Sequence, residues 1–165
     1  MPATDLPLPR SAPSADQMWM RRALRLARAA ASRGEVPVGA LVVRSGAILG
    51  AASNRVERAQ DPTAHAELLA LRRAATRLGS WRLEGVTLYS TLEPCPMCAG
   101  ALLLGRVARV VYGADDPKKG AFRSTYRVLA KTAGNHHLEV LPGCEAPASA
   151  DLLRRFFRDL RNRAL

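Results

Sequence analysis

Lysine is nearly missing from this chain: Lys118, Lys119 and Lys131 are all it has in 165 residues, against 22 arginines. Acidic residues are also few, 14 against 25 basic ones, so the formal net charge is +11 and the pI about 10.9. A surface this basic calls for an acidic partner, and nucleic acid is the commonest one. Arginine suits phosphate because its planar fork donates two parallel hydrogen bonds, although a genome-wide arginine bias would give the same count without any such selection. Cysteine is scarce as well. Three thiols, two of them in one short motif, make no disulfide framework, and the odd one points to a reducing compartment. No apolar run is long enough to span a bilayer. Met1 to Pro13 is rich in Pro and Ala without a continuous apolar core, which excludes a signal peptide and predicts a disordered extension over residues 1–13. A single domain over residues 14–165, in a cytoplasmic protein, is therefore expected. The 48% hydrophobic content allows one real core and leaves little room for a second.

The regular elements follow from spacing and punctuation. Ser14-Ala15-Asp16-Gln17 matches a capping box, and Trp19, Ala23, Leu26, Ala27 and Ala30 recur at helical spacing up to Gly34. Arg21, Arg22, Arg25, Arg28 and Arg33 lie on the opposite side, where a solvated face is favoured over a phosphate-facing stripe. Glu35–Arg44 and Ala47–Ala52 read as strands joined at Ser45-Gly46, and Asn54 follows where a polar side chain can face a cleft. Thr63 is the expected N-cap of a helix from Ala64 to Arg77, which puts His65 and Glu67 in its first turn. A short strand, Val86–Ser90, precedes a small apolar helix, Pro96–Leu104, with Cys98 in its first turn and Cys95 just ahead. Val107–Tyr112 is a further apolar strand. A polar stretch, Gly113–Asn135, is expected to hold a short helix around Ser124 to Ala130. A last strand, Leu138–Leu141, and a basic helix, Ala148–Arg163, close the chain. This order predicts an α/β fold in three layers, helix/sheet/helix.

Chemistry concentrates in Pro94-Cys95-Pro96-Met97-Cys98 and in His65-Ala66-Glu67. Two thiols three positions apart fit a redox pair, half of a structural zinc site or half of a catalytic one. His65 with Cys95 and Cys98 is an allowed set for catalytic zinc, which takes three protein ligands and keeps a fourth position for water. A closed structural site needs a fourth ligand, and the remaining Cys144, His136 and His137 have no ligand-like partner at close spacing, which favours the open arrangement. Glu67 can then reach the water as a proton carrier without ligating the metal. With no metal motif nearby it would read as a first-turn carboxylate on a helix N-terminus.

These two motifs are the H-x-E and P-C-x-x-C signature of the zinc-dependent cytidine/deoxycytidylate deaminase superfamily. Four longer strings narrow the likeness: Arg33 to Ala40, Asp61 to Glu67, Thr91 to Ala101, and Gly113-Ala114-x-Asp116-x-Lys118. Over about residues 16 to 163 the chain resembles the bacterial tRNA-specific adenosine deaminases. The resemblance implies a cytidine deaminase-like fold with a central mixed five-stranded sheet. It implies one Zn2+ per subunit on His65, Cys95 and Cys98, with Glu67 as the catalytic proton shuttle. The implied reaction is adenosine to inosine at wobble position 34 of a tRNA anticodon stem-loop, in a homodimer with no membrane association. Matching positions place Asn54 against the flipped nucleotide and Val36, Pro37 and Ala64 around its pocket. Asp116 and Lys118 would contact the RNA backbone or neighbouring nucleotides, and Phe157 and Arg158 would pack near the anticodon loop. The chain departs from the family in Phe122-Arg123-Ser124-Thr125-Tyr126, bulkier and more basic than usual, which bears on loop positioning and anticodon preference. Two competing readings are a free guanine or cytosine nucleobase or nucleotide deaminase and a non-catalytic, zinc-stabilised nucleic-acid-binding module. The basic surface speaks against the former, and Glu67 against the latter.

Overall fold

The structure, a computed structural model, describes residues 14–128 and 136–163, so the extension expected over residues 1–13 lies outside it. The chain opens with α1 (Ala15–Ala31), β1 (Gly39–Arg44), β2 (Ala47–Ser53) and a one-turn α2 (Val56–Ala59). It continues with α3 (Ala66–Leu78), β3 (Thr87–Leu92), α4 (Pro96–Leu104), β4 (Arg109–Ala114), β5 (Glu139–Leu141) and α5 (Ala146–Arg163). The five strands form one mixed sheet in the order β2-β1-β3-β4-β5. β1 is antiparallel to both β2 and β3, whereas β3, β4 and β5 run parallel.

Helices cover both faces of this sheet, so successive side chains of β1 enter different cores. Leu41 and Val43 pack with Met20, Ala23, Tyr89 and Val111 under α1. Ala40 and Val42 pack with Ala70, Leu88, Val110 and Tyr112 under α3 and α4. Each Leu or Val so buried contributes about 1.5–3 kcal/mol. α5 lies beside α1 and directly against β4. A side chain at Gly113 would collide with Ser149 and with the Thr91 carbonyl, so this glycine is what lets α5 approach so closely.

Local signals account for most boundaries. Both halves of the capping box form at Ser14 and Gln17, at 2.8 and 3.2 Å. Asp16 ties α1 to the sheet through two bonds from Arg109, 2.9 and 2.7 Å, and one from the Tyr89 hydroxyl, 2.7 Å. Ser45 and Gly46 take φ of 50° and 75°, a primed hairpin turn that matches strand twist. Within the α1 arginine face, Arg21 is bonded to Glu145 at 3.0 Å and Arg22 lies over the Trp19 ring.

Three expectations need correction. β1 begins at Gly39, not Glu35, because the Glu35 amide is spent on Ala30 at the end of α1 and Pro37 has none to offer. Thr63 does not cap α3: its amide and hydroxyl both donate to Asp61 Oδ1, at 2.8 and 2.7 Å, and His65 takes the N-cap position of a helix that starts at Ala66. Ser124 to Val128 is not α-helical: the Val128 amide, which a helix from Ser124 would bond to the Ser124 carbonyl, donates to Ala121 at 2.7 Å instead; residues 129 and 130 of that expected helix lie outside the described residues.

Candidate active site

β3 ends at Leu92 and Glu93 follows it, and Pro94 and Pro96 on either side of Cys95 direct the chain into α4. α3 starts beside α4, so the positive ends of two helix dipoles converge on one spot. There His65 Nδ1 lies 3.6 Å from Cys95 Sγ and 3.6 Å from Cys98 Sγ. Zinc bonds of about 2.3 Å to sulfur and 2.0–2.1 Å to nitrogen, at tetrahedral angles, put S and N about 3.6 Å apart, which matches both sulfur–nitrogen separations here. Among the described residues no further His, Cys, Asp or Glu joins the group. His136 instead meets the Val107 carbonyl through Nε2 at 2.5 Å. The arrangement is an open site.

The thiols share their protons unequally. A hydrogen bond from Cys98, and behind it His65, holds Cys95 at a pKa of about 4 against the effect of burial. Cys98 is pushed far up by Cys95 and by burial, and the hydrogen bond to Cys95 raises His65. A metal ligand must be a thiolate, and Cys95 is the thiol of the pair that loses its proton more easily. Glu67 is 4% exposed. Burial drives its carboxyl upward, its own amide and His65 pull it back, and Ser90 Oγ stands 3.3 Å from Oε1.

A cleft of about 790 Å³ opens above this floor, to which His65, Glu67 and Cys95 contribute while Cys98 is sealed behind. Of the residues expected to bind substrate, Val36, Asn54, Asp116, Lys118 and Phe157 line it. Pro37 and Ala64 are buried and not on its surface. Arg158 is not on the cleft either. It lies one residue, or about 100°, around α5 from Phe157 and sits 3.6 Å from Asp159. The cleft-facing side of α5 carries Arg154, Phe157 and Arg161, at helical spacing i, i+3 and i+7, opposite Lys118 and Lys119. Asp116 has a second duty, since its Oδ1 accepts from the Lys118 and Lys119 amides at 2.9 and 3.1 Å and so shapes that loop.

Sequence reasoning passed over two buried carboxylates that hold the cleft's rims. Glu93, 1% exposed, accepts from Phe122, Arg123 and Ser124 amides at Oε1, 3.1, 2.7 and 3.0 Å. Its Oε2 takes the Asp116 amide at 3.0 Å and the Ser124 hydroxyl. Burial alone would raise its pKa, but the bonds from Ser124, Arg123 and Asp116 hold it below the usual value. Gly120 has no side chain because one would overlap this carboxylate. Glu35, 1% exposed, bonds the Glu57 and Arg58 amides at 3.2 and 2.8 Å and caps α2. The available signal was a single carboxylate in an apolar setting, Leu92-Glu93-Pro94 and Gly34-Glu35-Val36.

An imidazole and two thiols that could hold a metal ion, beside a buried carboxylate in a three-layer α/β domain, are a donor set compatible with metal-assisted hydrolysis. The family model for MafB19-like deaminase matches residues 14–161, and the chain belongs to this deaminase family. The tRNA-specific adenosine deaminase of Bacillus subtilis (strain 168) is 46% identical over 148 residues, 90% of this chain and 92% of its own length. A solved tRNA:A34 deaminase that performs A-to-I editing at the wobble position superposes with a TM-score of 0.79 at 43% identity, covering 82% of this chain and 99% of its own. A guanine deaminase from Nitrosomonas europaea superposes with a TM-score of 0.75 at 26% identity, covering 88% of this chain and 86% of its own.

Proposed function

We propose that this chain is a tRNA adenosine deaminase that converts adenosine to inosine at wobble position 34, with release of ammonia. The observation that carries the reading is the His65, Cys95 and Cys98 triangle with Glu67 beside it, in a chain 46% identical to a tRNA-specific adenosine deaminase. Zinc held by those three residues would lower the pKa of a bound water to about 7 and so supply hydroxide at neutral pH. Glu67 takes one proton from the attacking water and gives it to a ring nitrogen, then takes the second from the new hydroxyl on the ring carbon and delivers it to the departing amine, leaving inosine and ammonia. Burial suits it to this exchange by making its carboxylate a stronger base than an exposed one. An unpaired wobble nucleotide can swing out of the loop and enter the cleft. Asn54 and Val36 border the base, while Lys118, Lys119, Arg154 and Arg161 hold neighbouring phosphates.

A homodimer and a single catalytic domain over residues 14–165 belong to the same reading. α4 carries no charged residue, and its exposed Met97 and Leu104 leave an apolar face suited to a second copy. A cytoplasmic location goes with the tRNA substrate; no helix among the described residues is long and apolar enough to cross a membrane.

The test is ammonia release by zinc-loaded protein from an anticodon stem-loop with A34, set beside the same loop in DNA and beside free guanine. Inosine at position 34 is expected. Turnover of guanine with none of RNA would replace this reading by the guanine deaminase one.

A further inference from the structure

Asn54 stands on the cleft wall with its main chain held on both sides. Its amide donates to the Val38 carbonyl at 3.0 Å, and the next amide, of Arg55, to Ala64 at 3.0 Å. What stays free is a half-turn about the last side-chain bond, which exchanges the carboxamide oxygen and nitrogen. Glu35 removes that freedom. Its Oε2 lies 3.3 Å from Asn54 Nδ2, while the Glu57 and Arg58 amides fix the carboxylate from behind. A carboxylate only accepts, so the carboxamide must turn its NH2 to Glu35. Oδ1 then finds no donor among the described residues, and the only sealed, unpartnered side-chain atom among them is Ser149 Oγ. Oδ1 is therefore open to the cleft that Asn54 lines.

We propose that Glu35 is a positioning residue that fixes Asn54 as a hydrogen-bond acceptor, to which the target nucleotide must present a donor. The nucleotide's identity rests on the tRNA adenosine reading above; the orientation of Asn54 does not. Inside an RNA strand the 3′ and 5′ oxygens are esterified, so adenosine keeps two donors, the 2′-hydroxyl and the 6-amino group. A contact to the 2′-hydroxyl would also separate RNA from DNA.

Glu35→Gln reverses the arrangement. The Arg58 amide keeps the one remaining oxygen, the new NH2 faces Asn54, and the carboxamide turns over to present a donor to a donor. In the free wild-type protein, one Asn54 side-chain N–H should resonate downfield and exchange slowly, and Glu35→Gln should abolish both features. A resonance that ignores Glu35→Gln overturns the proposal whatever the substrate is.

Binding is measured in the Glu67→Ala background to prevent turnover. Glu35→Gln should weaken the A34 stem-loop about tenfold, Asn54→Ala should do the same, and the two together no more than about twofold beyond either. Additive losses would overturn the proposal. With Glu67 present, Glu35→Gln should raise KM while kcat stays within about threefold, whereas general loosening of the site would lower both. If 2′-deoxyadenosine at position 34 erases the Glu35→Gln effect, the donor is the 2′-hydroxyl; if purine riboside does, it is the amine. An effect that survives both substitutions sinks the proposal. Failure of wild-type protein to bind any stem-loop would defeat the tRNA reading and leave the amide resonance to decide the role of Glu35.

Discussion

Glu67 and Glu93 are carboxylates of the same cleft, 4% and 1% exposed, yet they are driven in opposite directions. Glu67 on the floor has one side-chain partner, a hydroxyl at 3.3 Å, and burial pushes its pKa up. Glu93 at the rim has four backbone amides and a hydroxyl, which overcome burial and hold its pKa down. Burial alone says little about a carboxylate; the count of donors decides whether it exchanges protons or stays charged as an anchor. The floor carboxylate is thus left free to exchange a proton, and the rim carboxylate is committed to holding a loop in shape.

The largest expected effect comes from breaking the floor. Glu67→Gln should cut turnover by roughly 10²–10⁴-fold while metal analysis still finds one zinc per chain. Loss of the zinc would mean that the carboxylate serves the metal site itself. At the rim, Glu93→Gln turns a donor toward the amides it once accepted from. Urea unfolding should report a loss of about 2–4 kcal/mol, with KM for the stem-loop rising more than kcat falls. A loss under about 0.5 kcal/mol would show that the loop at 116–124 holds its shape without this anchor.

Arg154→Ala and Arg161→Ala should each weaken tRNA binding several-fold and reduce the salt slope by about 1, whereas Arg158→Ala should do neither. An equal effect at Arg158 would place RNA on the outside of α5. The finest test is the sign of the pH dependence in metal-free protein. Glu93, held below its usual 4.5, contributes stability above that pH and loses it as pH falls through the lower folded value, so the Glu93→Gln deficit should shrink in acid. Glu67, raised above 4.5, contributes below that pH and loses the contribution as pH rises through the higher folded value. Glu67→Gln should therefore gain stability relative to wild type on going from pH 4 to pH 8, as read by urea unfolding.

The donor cluster was readable because it is written locally: His65 sits two residues from Glu67, Cys95 three from Cys98, and each pair opens a helix. Element types were readable for the same reason, from period and punctuation within some twenty residues. The cleft's rims were not. Glu35 meets Arg58 across 23 residues, and Glu93 meets Ser124 across 31. Neither span has a periodic pattern that announces the contact. The expected helix at Ser124 failed for a nearer reason, since the Val128 amide that helical bonding would give to Ser124 goes to Ala121 instead.

α5 illustrates the remaining division. Its sequence alone determines an amphipathic, arginine-rich helix, because apolar residues recur every three or four positions. It leaves open which arginines meet the substrate. That is decided by the docking of α5 on β4, where Gly113 admits Ser149 and so turns Arg154, Phe157 and Arg161 toward the cleft and Arg158 away. Spacing along the chain determined which donors come together, an imidazole and two thiols that could hold a metal ion beside a buried carboxylate. Packing across the chain decided what that chemistry faces, because the rotation of a helix and the target of a buried carboxylate depend on surfaces that exist only once the layers have met.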